Sequence, residues 1–257
     1  MSEMNLEIGM TGNAQAADSA LLGDGAVLVW NDVVSEGRDK FYEWHDKEHI
    51  PERLAIPGFR RGRRYVRSGH SPEWLTMYEA VDLNVVVSPA YLERLNTPTP
   101  ATVDTLQYFR NTSRAVCRIV HSVGSSSGGH VLALRLDVPA ARAEAMKTYL
   151  CTDVFPRAAA LTSVVACHLY MADQSGSHID TAESSTREFD VPAWVVLVET
   201  TTPEAAESAR DLLDVRKLES LGVTVRPDGT TYSMEICRLA NAPGGHLNAG
   251  PLKRDCE

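Results

Sequence analysis

The sequence contains no apolar run near the roughly 18 residues that a membrane-crossing helix needs, and its first 24 residues lack the basic segment and apolar core of an export signal. A cytoplasmic protein with no membrane partner is expected. The five cysteines, Cys117, Cys151, Cys167, Cys237 and Cys256, form no CxxC pair and are odd in number, which speaks against a zinc ribbon and a disulfide framework. No GxGxxG or GxxxxGK string is present, so bound NAD or ATP is not expected. Basic charge is scarce too. The net charge of −9 argues against broad binding to nucleic acid, whose phosphates demand clustered Lys and Arg. One exception is "RRGRRYVR" at 60–67, which reads as a solvated strand edge or, alternatively, as an anion or carboxylate pocket.

What is present is ordinary globular material, 44% hydrophobic and 23% charged over 257 residues. Apolar, β-branched runs place strands at 25–33, 59–67, 74–81 and 114–121, with helices at 38–54 and 88–108 between them. The order βαββαβ then recurs: strands near 130–138, 163–172, 193–201 and 231–239, helices near 140–158 and 203–220. The copies align residue by residue. Trp44 and Tyr149, Pro51 and Pro156, and Tyr65 and Tyr170 each lie 105 apart. Pro72 and Pro192, Trp74 and Trp194, Glu79 and Glu199, and the Cys-Arg pairs at 117 and 237 lie 120 apart. The offset changes once, by 15 residues, inside the polar stretch 173–190, which reads as a long surface loop inserted in the second copy.

The expected organisation is therefore a flexible N-terminal tail at 1–24, a first ferredoxin-like unit at 25–122, a Gly- and Ser-rich join, a second and diverged unit at 128–239, and a C-terminal tail at 240–257. A βαββαβ unit makes a four-stranded antiparallel sheet with both helices on one face. The predicted fold class is α+β, with two tandem ferredoxin-like units packed sheet to sheet and a ligand cavity between the sheets.

The stretch "FYEWHDKEHIPERLAIPGFRRGRRYV" at 41–66 resembles the EthD-like branch of the dimeric α/β barrel superfamily. The matching residues are His45, His49, Pro51, Pro57, Gly58, Arg64 and Tyr65. That resemblance implies a barrel formed by two sheets, usually in dimers, and activities as varied as monooxygenases, muconolactone isomerases, polyketide cyclases and dehydratases, and haem enzymes. Fold likeness does not select among these. Here both halves lie in one chain, and a homodimer of tandem chains stays open. The second copy loses the motif, because Leu150 and Val154 stand where His45 and His49 stand in the first. One working site per chain, centred on the first copy, is expected.

On a helix, residues four apart are separated by only about 40°, so His45 and His49 share a face. "HDKEH" at 45–49 formally matches the inverted zinc-protease string H-x-x-E-H. Zinc would need a third protein ligand, and none is evident. Acid–base work needs a single imidazole, whose ordinary pKa of about 6.5 suits proton transfer near neutrality. His49 is the expected base, with His45 beside it. Tyr65, on the next strand, is the expected donor to an enolate oxygen, the alternative being a core aromatic. Arg61 and Arg63 share its strand face and would hold a substrate carboxylate or phenolate if that face is the cavity face. His168 and Tyr170 are the matching candidates from the second copy, with a buried, hydrogen-bonded histidine as the alternative for His168. Trp44 is a candidate substrate contact, whereas Trp74 and Trp194 read as core.

The sequence thus points to a cofactor-independent lyase or isomerase acting on a small apolar carbonyl or phenolic substrate in catabolism or secondary metabolism. Two alternatives stand beside it. One is an oxidative enzyme, either a monooxygenase or an enzyme using haem or a metal at His45 and His49. The other is a non-catalytic small-molecule-binding protein.

Overall fold

The computed structural model describes residues 19–177, 179, 181–183, 190–226 and 229–241. Most of both expected tails, part of the 173–190 loop, and Cys256, His178 and His246 lie outside the described residues. In the first copy the elements are β1 (Gly25–Val33), α1 (Arg38–Trp44), a π-helical turn (His45–His49), α2 (Ile50–Leu54), β2 (Phe59–Val66), β3 (Trp74–Ala80), α3 (Pro89–Asn96), α4 (Pro100–Leu106) and β4 (Phe109–Val123). The second copy has β5 (His130–Asp137), α5 (Ala143–Tyr149), a π-helical turn (Leu150–Val154), α6 (Phe155–Ala159), β6 (Val164–Ala172), α7 (Gln174–Ser177), β7 (Trp194–Thr200), α8 (Pro203–Leu212), α9 (Val215–Ser220), β8 (Thr224–Val225) and β9 (Thr230–Leu239). Both copies follow the βαββαβ order, and none of these helices is long and apolar enough to cross a membrane.

Two local differences from the sequence reading have clear causes. The single helix expected at 88–108 is two helices, because Pro98 and Pro100 interrupt the hydrogen-bond ladder and Thr99 restarts it by accepting from the Thr102 amide at 3.0 Å. Strand β4 begins at Phe109 rather than 114. Its register against β1 shifts between Trp30 and Asp32, and Asn111 there has a positive φ of 48°. That bulge breaks the alternation from which a strand is read.

The chain forms two compact units that do not coincide with the two copies. One comprises 23–118, 171–193 and 232–241, and the other 19–22, 119–170 and 194–231. The boundaries include positions inside β4, β6 and β9, and none falls at the Gly- and Ser-rich join. In the first unit the strand order is β4-β1-β3-β2-β9, and the pairings of β1 with β3 and β4, and of β2 with β3 and β9, are all antiparallel. In the second, β5 pairs antiparallel with β7 and β8, and β6 neighbours β7.

Within the first unit the helices cover one sheet face through Ile50, Leu54, Tyr91 and Leu95, which pack on Val27, Tyr78 and Val116. Gly62 permits this close approach, since a Cβ there would meet Ile50 Cγ2 at 3.2 Å and the Tyr78 ring at 3.3 Å. The other face is buried as well, and it carries charge. Arg61 and Arg63, expected as a solvated edge or a substrate cradle, hold the protein's own Glu79. Arg61 bonds it through Nε at 2.8 Å and Nη2 at 3.0 Å, and Arg63 through Nη2 at 2.9 Å. Strand β2 lies between β3 and β9, so it is no edge.

Candidate active site

The π turns come from proline. Pro51 has no amide hydrogen, and a proline ring inside a helix clashes with the carbonyl four residues back. The helix widens by one residue ahead of it, and the Ile50 amide bonds to the His45 carbonyl, five residues back. Pro156 does the same in the second copy, where the Phe155 amide bonds to the Leu150 carbonyl. In the first copy this geometry keeps His45 and His49 on one face. Their rings are stacked, with centroids 5.6 Å apart and planes 24° apart. The His49 ring also lies 4.2 Å from Trp44.

Both histidines line a cavity inside the first compact unit, between its helices and the helix-facing side of its sheet. The cavity has about 600 Å³ of empty space, including its open mouth. Its walls are mainly apolar and aromatic. Phe41 and Trp44 come from α1, Val27 and Val29 from β1, and Leu95 and Leu106 from α3 and α4.

His45 is buried and fixed. Arg64 Nη1 stands 2.9 Å from His45 Nδ1. A guanidinium can only donate, so Nδ1 accepts and the ring proton resides on Nε2, which points to the Tyr78 hydroxyl at 3.4 Å. Arg64 is itself anchored by Asp46 at 2.5 Å and Glu235 at 2.7 Å. Burial, and after it the Arg64 charge, hold the His45 imidazole well below its usual pKa, so it stays neutral. Burial also raises the Tyr78 phenol, which is therefore a hydrogen-bond donor rather than a phenolate. His49 is half-buried.

Of the expected site residues, the structure brings His45, His49 and Trp44 together at this cavity. Tyr65, Arg61 and Arg63 are not there. They project from the opposite side of the sheet, Tyr65 with its ring 5.7 Å from the Arg63 guanidinium. The sheet stands between them and the imidazoles, so the enolate donor and anion-holding roles expected of them have no geometry to act through at this cavity. The turnover of faces begins at Arg60, where the β2–β3 register slips. Phe59 consequently lines the cavity although Arg61, two residues on, does not. His168 and Tyr170 belong to the other compact unit. Each is buried there, and His168 lies 2.9 Å from Ser122 Oγ and 3.3 Å from Glu199. His121, in the same unit, stacks on Phe155, with ring centroids 5.7 Å apart.

Sequence reasoning missed Tyr78, Arg53 and Glu183, and it placed Arg64 in the motif without giving it a role at the site. Arg53 was legible, because it continues the stripe His45, His49, Arg53 at intervals of four. Arg64 and Tyr78 face the helices by strand alternation, once the bulge at Arg60 is known. Glu183 sits in the second copy's inserted loop and gave no signal.

A haem iron or a metal needs a ligand lone pair directed at an open position. His45 offers none, with a cation on one nitrogen and its proton on the other. Among the described residues no three His, Cys, Asp or Glu side chains are grouped to hold a metal. A metal bridging His45 and His49 does not fit this arrangement.

No family model matches the chain, and no curated protein does. Solved structures do. The chain is similar to an anthrone oxidase-like protein, at a TM-score of 0.60 and 14% identity over 90% of this chain and 98% of that one. It is similar to a candidate monooxygenase from Lactobacillus acidophilus, at 0.51 and 9% over 84% and 97%. Chlorite dismutase from Candidatus Nitrospira defluvii gives 0.51 and 12% over 83% and 92%. At such identities the likeness establishes the fold, an α+β dimeric α/β barrel of antiparallel strands consistent with tandem ferredoxin-like units. Most of these neighbours are enzymes of oxidation or dismutation, and none supports the expected lyase or isomerase class.

Proposed function

We propose that this chain is an oxidative enzyme that lets a small phenolic or carbonyl compound react with molecular oxygen by first removing one of its protons. The EthD-like motif at 41–66 is part of this reading. The observation that carries it is the histidine pair on the wall of an apolar, aromatic cavity, with His45 pinned neutral between Arg64 and Tyr78. With His45 held in this way, His49, which shares the face, is the proposed base. The anthrone oxidase-like and monooxygenase neighbours favour oxidation over the lyase or isomerase reading.

The chemistry balances without a bound cofactor. His49 takes a proton from a CH₂ flanked by carbonyl or aryl groups, and the carbanion gives its electrons to O₂ to form a substrate hydroperoxide after reprotonation. Loss of the second C–H proton and cleavage of the O–O bond leave a carbonyl and water. The net reaction is R₂CH₂ + O₂ → R₂CO + H₂O. The apolar walls exclude water, which would otherwise quench the carbanion.

Anthrone-like and phenolic compounds, assayed with chelator in air and under nitrogen, test the proposal. Turnover that needs oxygen, survives chelation and falls by roughly 10²- to 10⁴-fold in His49→Ala supports it. Turnover that persists under nitrogen restores acid–base lyase or isomerase chemistry. A Soret band in the purified protein overturns the cofactor-free route, and tight binding without turnover, indifferent to His49→Ala, identifies a carrier.

A further inference from the structure

The cavity contains a cation that the proton-transfer scheme does not use. Arg53 lies on α2, one helical turn beyond His49, and is only 3% exposed. Its Nη2 bonds to Glu183, and the guanidinium lies 5.7 Å from the Tyr91 ring. Its Nη1 is buried and has no hydrogen-bond partner among the described residues. A buried guanidinium nitrogen without an acceptor is costly, and such groups in native proteins ordinarily find one. Arg114 also lines the cavity and donates through Nη2 to the Tyr91 hydroxyl at 3.1 Å. With His45 neutral, the described residues lining the cavity include two guanidiniums, Arg53 and Arg114, and one carboxylate, Glu183, an excess of positive charge in a mainly apolar chamber.

We propose that Arg53 Nη1 is the anchor for an oxyanion of the substrate, a carboxylate or phenolate on an aromatic framework, and that Glu183 positions Arg53 for it. The inference rests on the reading of this cavity as the substrate site. A guanidinium held by one carboxylate through Nη2 can donate from Nη1 to a second oxygen acceptor without moving. The aromatic body would then lie along Trp44 and Leu106, within reach of His49. The inserted loop of the second copy thereby acquires a role, since Glu183 lies within it and its amide is fastened to the Leu95 carbonyl at 3.1 Å.

Calorimetric titration of the full chain with 2-naphthoate and its neutral isostere 2-naphthamide tests this. The carboxylate should bind about 10- to 100-fold more tightly than the amide, the difference expected of a charge-assisted hydrogen bond. Glu183→Gln, which retains the arginine and removes the competing charge, should tighten naphthoate several-fold. Arg53→Gln combined with Glu183→Gln replaces the ion pair by a neutral one, guarding against an unpaired buried carboxylate, and should reduce the preference to within about twofold. Equal affinities in the native protein, binding of neither compound, or a preference that survives the double substitution overturns the proposal. Because these are binding measurements, loss of oxygen-dependent turnover with the preference intact would sink only the oxidative reading.

Discussion

The two π turns are the same backbone device with different contents. Each precedes a proline, Pro51 or Pro156, and each closes with an amide bonded five residues back. At matched positions His45 becomes Leu150, His49 becomes Val154, Arg53 becomes Ala158, Arg64 becomes Leu169 and Tyr78 becomes Val198. Each of these five polar side chains is replaced by an apolar one, and Leu150, Val154 and Ala158 are buried. The opposite sheet faces behave differently. There Arg63 and Glu79 are matched by His168 and Glu199, and each basic side chain still lies beside its carboxylate, at 2.9 Å and 3.3 Å. What the copies share is therefore structural, and what only the first retains is the candidate chemistry.

This contrast can be broken in several ways. The largest effect should come from Glu79→Ala, which removes the carboxylate used by two guanidiniums that cannot deprotonate. It should cost about 3–5 kcal/mol in denaturant unfolding. Glu199→Ala should cost less, because an imidazole, unlike a guanidinium, can give up its charge. Equal costs would mean that the two pairs are energetically equivalent and would overturn this distinction.

Giving the first copy the second copy's residues, His45→Leu with His49→Val, should lower activity at least about 100-fold while cooperative unfolding persists. Activity that survives would move the site elsewhere.

A smaller effect concerns acid. His45 has a depressed folded-state pKa, so the unfolded chain binds the extra proton. This group's contribution is fully present above its unfolded value near 6.5 and declines as pH falls below it, by at most about 1.4 kcal/mol per pH unit. Unfolding midpoints at pH 7.5 and 5.5 should converge more in His45→Leu than in the native protein. An unchanged pH slope would mean that the imidazole is not held neutral.

The smallest change is expected for Pro51→Ala and Pro156→Ala. Each restores an amide and should shift stability by only about 1 kcal/mol or less, while only the first should alter turnover. Equal effects on turnover would detach the π turn from the site.

Much of this was legible beforehand. Val27 and Val29 on one strand and Pro51 with Pro156 across copies reveal period and duplication without tertiary information. The site was legible in part, because His45, His49 and Trp44 share a helix. Tyr65 and Arg63 misled because strand alternation tells which residues share a face but not which face the helix covers. The bulge at Arg60 then separated Phe59 from Arg61.

The sequence by itself determined two βαββαβ copies, their matching prolines, and which copy holds imidazoles, since these follow from local period and residue identity. Tertiary structure alone decided that the cavity lies under the helices of the first copy, and that Glu79 rather than a substrate occupies Arg61 and Arg63. It also decided that a loop inserted 130 residues after Arg53 supplies that arginine's carboxylate. Such pairings are set by packing between segments far apart in the chain, and no local pattern encodes them.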